Sequence, residues 1–204
     1  YNNYGIRKNL LEYDQDKFIG AQYNSFLEEP TVENLVKAVM ANYILEGIYF
    51  YSGFMFFYNL ERNGKMPGSA QEIRYINRDE NTHLWLFRSI IRELMKEEPE
   101  VFTEELKEEL RQMMKIGVEN EINWGKYVIG DKIQGINSNL IESYIKYLGN
   151  RRLKEIGFEA IFEGYDENPA KWVDILADAN SVKTDFFEAK STAYAKASVL
   201  IDDL

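Results

Sequence analysis

The stretch from Ala38 to Leu60, AVMANYILEGIYFYSGFMFFYNL, is almost entirely apolar and carries one charge, Glu46, near its middle. A lone carboxylate taken out of water must become neutral, find a hydrogen-bonding partner or bind a cation. Three structures meet that demand: a membrane helix with a functional acid, a core helix with a hydrogen-bonded or protonated acid, and a core helix whose acid holds a metal. The run is long enough to span a bilayer, but Tyr, Asn, Gly and Ser interrupt it and no second comparable run exists. A helix apolar all round because other helices surround it fits better.

The rest of the chain supplies those helices. Pro30, Pro67 and Pro99 separate segments whose apolar residues recur at helical spacing, and period-2 alternation is nearly absent. Thr31 is the expected N-cap of a helix running through the apolar stretch to Asn63 and Gly64. Ser69 and Glu72 stand in capping-box register for a second helix, which runs to about Lys96. A third is expected over about Thr103 to Val128 and a fourth over about Asn139 to Lys154, with one more before Glu28. Long helices joined by short breaks predict an all-α bundle over residues 1–168. After Pro169 the pattern loosens, and residues 169–204 read as a peripheral C-terminal segment.

Composition narrows the function. The formal net charge of -10 gives the long-range field the wrong sign for nucleic acid or an anionic membrane surface, so neither is an expected partner. There is no cysteine, hence no disulfide, thiolate metal site or cysteine nucleophile, which suits a reducing cytoplasm.

The single histidine, His83, lies three residues after Glu80 in INRDENTHLWLF. On a helix, positions i and i+3 share a face, so the pair can direct one oxygen and one nitrogen to a single point. An isolated E-x-x-H also arises as a surface ion pair. Beside an apolar helix bearing one acid it acquires another meaning. Carboxylate-bridged dimetal bundles take a Glu from each of two helices and a Glu-x-x-His from each of two others. Glu46, Glu80 and His83 supply half of that set, and carboxylate oxygens with one imidazole suit iron or manganese. With no second histidine in the sequence, the complementary ligands must come from a symmetric homodimer, another chain or a further segment.

At these residues the chain resembles a known family. LEGIYFYSGF followed by IRYINRDENTH is similar to the second half of the metal site in the small, radical-generating subunit of class I ribonucleotide reductase. The similarity continues in order through NWGKYVIG, YIKYLGNRRLKEIGF and NPAKWVD to FFEAKSTAY. The resemblance implies a ferritin-like helical bundle, here its C-terminal part without the N-terminal helices, and a dinuclear iron or manganese centre. Glu46, Glu80 and His83 map to metal ligands, and Phe50, Phe54 and Ile76 to an apolar pocket around the radical. On one continuous helix Phe50 and Phe54 would stack one and two turns beyond Glu46. Asp79 maps to the acid that links a ligand histidine to a tryptophan on the electron-transfer route. Tyr194 and Glu188 map to the tail residues that relay the radical. The implied partners are the large catalytic subunit, the complementary N-terminal half, and a second copy of the complete small subunit. Two other readings of the same pattern are a ferritin-like dimetal oxidase or monooxygenase, and a non-catalytic acidic helical module for interaction or iron storage.

Overall fold

The computed structural model describes residues 15–178, and every regular element among them is a helix. In chain order these are α1 (Gln15–Glu28), α2 (Val32–Gly47), α3 (Tyr51–Arg62), α4 (Pro67–Glu97), α5 (Glu104–Val128), α6 (Ser138–Glu155) and α7 (Lys171–Ala177). No helix among the described residues is long and apolar enough to cross a membrane. Side-chain caps start three of them: Thr31 accepts from the Asn34 N–H at 3.2 Å, Thr103 from Leu106 at 3.3 Å and Asn137 from Leu140 at 2.8 Å.

From Ala38 onward α2 is largely apolar and buried because it is enclosed, packing against α1, α4 and α5. α3 continues that central layer against α4, α5, α6 and α7. Met40, Tyr43, Ile44, Ile48, Met55 and Tyr58 are fully buried there. At roughly 1.5–3 kcal/mol for each large apolar side chain removed from water, this layer dominates the stability of the bundle.

Two local expectations are corrected. The helix expected to run unbroken to Asn63 stops at Gly47 and restarts at Tyr51. Ile48 leaves helical geometry at φ -131 and ψ -52. The Tyr51 N–H then bonds the Ile48 carbonyl, and the Ser52 N–H leaves the ladder for Glu121 Oε1 at 3.0 Å. Apolar periodicity hides this break, since Ile44, Ile48, Tyr51 and Met55 are buried on both sides of it. The Ser69–Glu72 capping box is not formed. α4 starts at Pro67, whose preset φ suits the first helical position, so Ser69 is already inside the helix and cannot cap it. Before it, α3 closes in a Schellman turn with Lys65 N–H on Leu60 O and Gly64 N–H on Glu61 O. That turn requires the positive φ of 71° that Gly64 adopts.

Asn150, on α6, organises the irregular segment after that helix. Its Oδ1 accepts from the Ile161 and Phe162 N–H groups, while its Nδ2 donates to the Phe162 and Tyr165 carbonyls. α7 is docked beyond it. Val173 is buried, Arg62 lies 4.1 Å from the Trp172 ring centroid, and Arg74 Nε donates to the Leu176 carbonyl at 2.7 Å. Tyr194 and Glu188 lie outside the described residues.

Between α5 and α6, Glu142 accepts from Lys126 and, at 2.6 Å, from Lys146. These two bonds hold its carboxyl down at about 2, below the ordinary 4.5. A depressed carboxyl stabilises the fold fully above the unfolded value and loses that contribution as pH falls toward the folded one. Glu142→Gln should therefore cost about 0.5–1 kcal/mol at neutral pH for a partly solvated bridge. The gap from wild type should narrow steadily below about pH 4.5, as read by urea denaturation across the acid range.

Candidate metal centre

α2 and α4 lie side by side, and their contact brings Glu46, Glu80 and His83 together. One ligand atom from each of the three residues falls within 4.8 Å of the others. Within α4 the i, i+3 spacing sets His83 Nδ1 2.8 Å from Glu80 Oε2, and across the helix contact His83 Nδ1 is 4.0 Å from Glu46 Oε2. The carboxylates are largely covered, with side chains 17% and 12% exposed, while the imidazole is 51% exposed. His83 is thus wetter than its neighbours Leu84, Leu86 and Phe87 suggest from sequence; Leu86 itself is 46% exposed.

Electrostatics explain how the cluster holds itself. Burial pushes the Glu46 carboxyl up to about 7, helped by its hydrogen bond with Glu80 and that residue's charge, and opposed by His83. Its bond to Glu80 raises the pKa of the His83 imidazole. The imidazole leans on Glu80, 2.8 Å away. A divalent cation neutralises both carboxylates at once and takes a neutral imidazole nitrogen, so this donor set fits a hard or borderline ion such as manganese or iron.

The other sequence candidates fall in different surroundings. Phe54 is buried, whereas Phe50 and Ile76 are 38% and 45% exposed. Phe50 and Phe54 stack on each other with centroids 6.1 Å apart. The break at residues 48–50 removes the continuous-helix reason for aligning them with Glu46, because the turn changes the register. Asp79 is exposed, and Arg78 is its ion-pair partner. Arg74 pairs instead with Glu61 of α3.

Two charged core residues escaped the sequence reading. Glu121 is 0% exposed and Arg152 is 3% exposed. Both carried a signal of the kind that marked Glu46. Glu121 falls in register with buried Met114, Gly117, Val118 and Gly125, and Arg152 with buried Ile141, Tyr144, Ile145 and Leu148.

The sequence profile described as ribonucleotide reductase, small chain, matches residues 6–169. The chain belongs to that family. Ribonucleoside-diphosphate reductase subunit beta of Treponema pallidum (strain Nichols) is 61% identical over 192 residues, covering 93% of this chain and 55% of the relative. The subunit of the same name from Halalkalibacterium halodurans is 43% identical over 185 residues, covering 91% and 54%. Among solved structures, the ribonucleotide reductase R2 subunit from Clostridium botulinum superposes with a TM-score of 0.80 at 51% identity, covering 87% of this chain and 55% of that one. The fold is therefore the ferritin-like helical fold of the small chain. The chain spans about half the length of the relatives it matches.

In this small-chain bundle His83 is exposed enough to be removed without opening a cavity. His83→Ala should leave helicity intact and change folding stability by less than about 0.5 kcal/mol. It should also weaken manganese(II) uptake at least about tenfold. Circular dichroism with urea titration reads the first, and manganese paramagnetic resonance the second.

Proposed function

We propose that the chain forms the C-terminal portion of a class I ribonucleotide reductase small subunit, contributing half of a dinuclear iron or manganese centre. The observation that carries this reading is the convergence of Glu46, Glu80 and His83 from two helices on one point. When bound, the metal pair supplies a one-electron oxidising equivalent for the reduction of ribonucleotides. The chain's own residues have other tasks. Glu46, Glu80 and His83 hold the centre, and Phe50, Phe54 and Ile76 keep water from it. Asp79 orients a ligand histidine, and Tyr194 with Glu188 passes the oxidant to the large subunit.

The exposed apolar side chains beside the cluster support a covered site. Ile76 and Leu86 lie about a turn or two to either side of His83 on α4, and both are exposed. A complementary N-terminal half laid on this face would bury them and bring the remaining ligands. The complete subunit would then pair with a second copy and dock on the large subunit through residues 169–204, with Asp202 to Leu204 at the contact.

The test is reconstitution with the complementary half and the large subunit, measuring cluster content, subunit affinity and nucleotide reduction. Tyr194→Phe keeps the ring and removes the oxidisable phenol, so metal loading and docking should persist while reduction falls to background. Deleting Asp202 to Leu204 should weaken subunit affinity and leave cluster content unchanged. Normal reduction by the Tyr194→Phe protein overturns the relay role. Failure of the reconstituted wild type to take up metal overturns the functional reading itself.

A further inference from the structure

The break between α2 and α3 begins two residues after Glu46 and lies in the core, where Ile48 is 0% and Tyr49 is 7% exposed. Backbone groups released from a helix ladder in such a place need partners from elsewhere. Two charged side chains from helices that bear none of the three ligands provide them. On the downstream side Phe50 gives α3 no side-chain cap, and Glu121 of α5 accepts the Ser52 N–H at 3.0 Å. On the upstream side the Tyr51 N–H goes to Ile48 rather than Gly47, and Arg152 Nε of α6 donates to the Gly47 carbonyl at 3.4 Å. The signs match the helix ends, a carboxylate at the N-terminus of α3 and a guanidinium at the C-terminus of α2.

Arg152 is itself fixed. Its Nη2 donates to Tyr51 Oη at 2.7 Å, and its Nη1 meets Glu155 Oε2 at 3.1 Å, while Tyr43 Oη of α2 donates to that same carboxylate at 3.0 Å. The guanidinium also presses directly on the backbone next to Glu46. A Cβ on Gly47 would stand 3.1 Å from Arg152 Nε and 2.8 Å from Leu84 Cδ2, so only glycine lets α4 and Arg152 close on this point. Leu84 is the neighbour of His83. The contact that seats Gly47 therefore also sets the spacing between the α2 and α4 ligands.

We propose that Glu121 and Arg152 are positioning residues for Glu46: together they pin the break that ends α2, and so fix where the Glu46 carboxylate lies relative to Glu80 and His83. The proposal rests on the metal-centre reading for its functional meaning, but its geometric content stands apart from it. Neither residue touches a ligand atom to exert this effect. Each acts through the backbone on either side of Glu46.

The test uses the full 204-residue chain. Glu121→Leu removes the acceptor at similar bulk, Glu121→Gln keeps an amide oxygen for the Ser52 N–H, and Arg152→Lys leaves one ammonium that cannot serve Gly47, Tyr51 and Glu155 together. Leu110→Ala, about three turns earlier on α5, destabilises the same helix by a cavity and is the control. Amide exchange at Ser52 should quicken about tenfold in Glu121→Leu and stay near wild type in Glu121→Gln. Manganese(II) affinity should fall about tenfold in Glu121→Leu and Arg152→Lys, while Leu110→Ala keeps it. Crystal structures of the variants should show Glu46 moved away from His83. Faster Ser52 exchange with Glu46 unmoved overturns the proposal, as does an equal loss of affinity in Leu110→Ala. If Glu121→Leu does not fold, Arg152→Lys with Glu46 in place overturns it alone. A wild type that binds no manganese even when reconstituted with the complementary half, while these displacements still occur, overturns the metal reading and leaves the positioning role standing.

Discussion

A carboxylate on the most enclosed helix of a bundle has to be compensated, and the structure around Glu46 is organised by that requirement. α2 cannot turn Glu46 to open water without exposing Tyr43, Ile44 and Ile48, which are fully buried. It also cannot leave the acid alone in an apolar setting. α4 resolves the conflict by running against α2 for much of its length and delivering Glu80 and His83 to the same place. The result is a cluster whose components are held by one another, and whose raised Glu46 pKa reflects first its burial and then the neighbouring Glu80.

The second consequence falls on the backbone. Ending α2 directly after Glu46 frees peptide groups inside the core, and each freed group demands a partner there. Glu121 and Arg152 meet the demand, at the expense of burying two more charges. Arg152 is accommodated because Tyr51, Glu155 and the Gly47 carbonyl take its donors. The site is thus layered. Three side chains face one another, and behind them a second set of charges holds the chain that carries one of the three.

Much of this was legible in the sequence, and the reasons are particular. The helix start at Thr31 was readable because a side-chain cap is a local interaction decided within four residues; the starts near Thr103 and Asn139 were read to within a residue or two, without the Asn137 cap. Glu80 and His83 were readable as a pair because helical spacing alone brings them together. Glu46 was readable because one charge in an apolar run breaks the pattern. The start of α4 was misread in detail, since Ser69 and Glu72 fit a capping box that Pro67 pre-empts. The exposure of His83 was not legible, because Leu84, Leu86 and Phe87 suggest a dry setting, while Leu86 is itself exposed.

By itself the amino-acid sequence determined the helical class, the Thr31 cap, the family motifs and the three candidate ligands. All of these follow from spacing within a helix or from residue type. Only the tertiary structure decided that the helix carrying Glu46 stops one residue later, and that Glu121 and Arg152 stabilise the stop. A helix ends where its backbone groups find better partners than the next turn offers. For Ser52 and Gly47 those partners lie 69 and 105 residues away along the chain. No periodicity within α2 or α3 encodes an interaction that distant; packing α5 and α6 against them creates it.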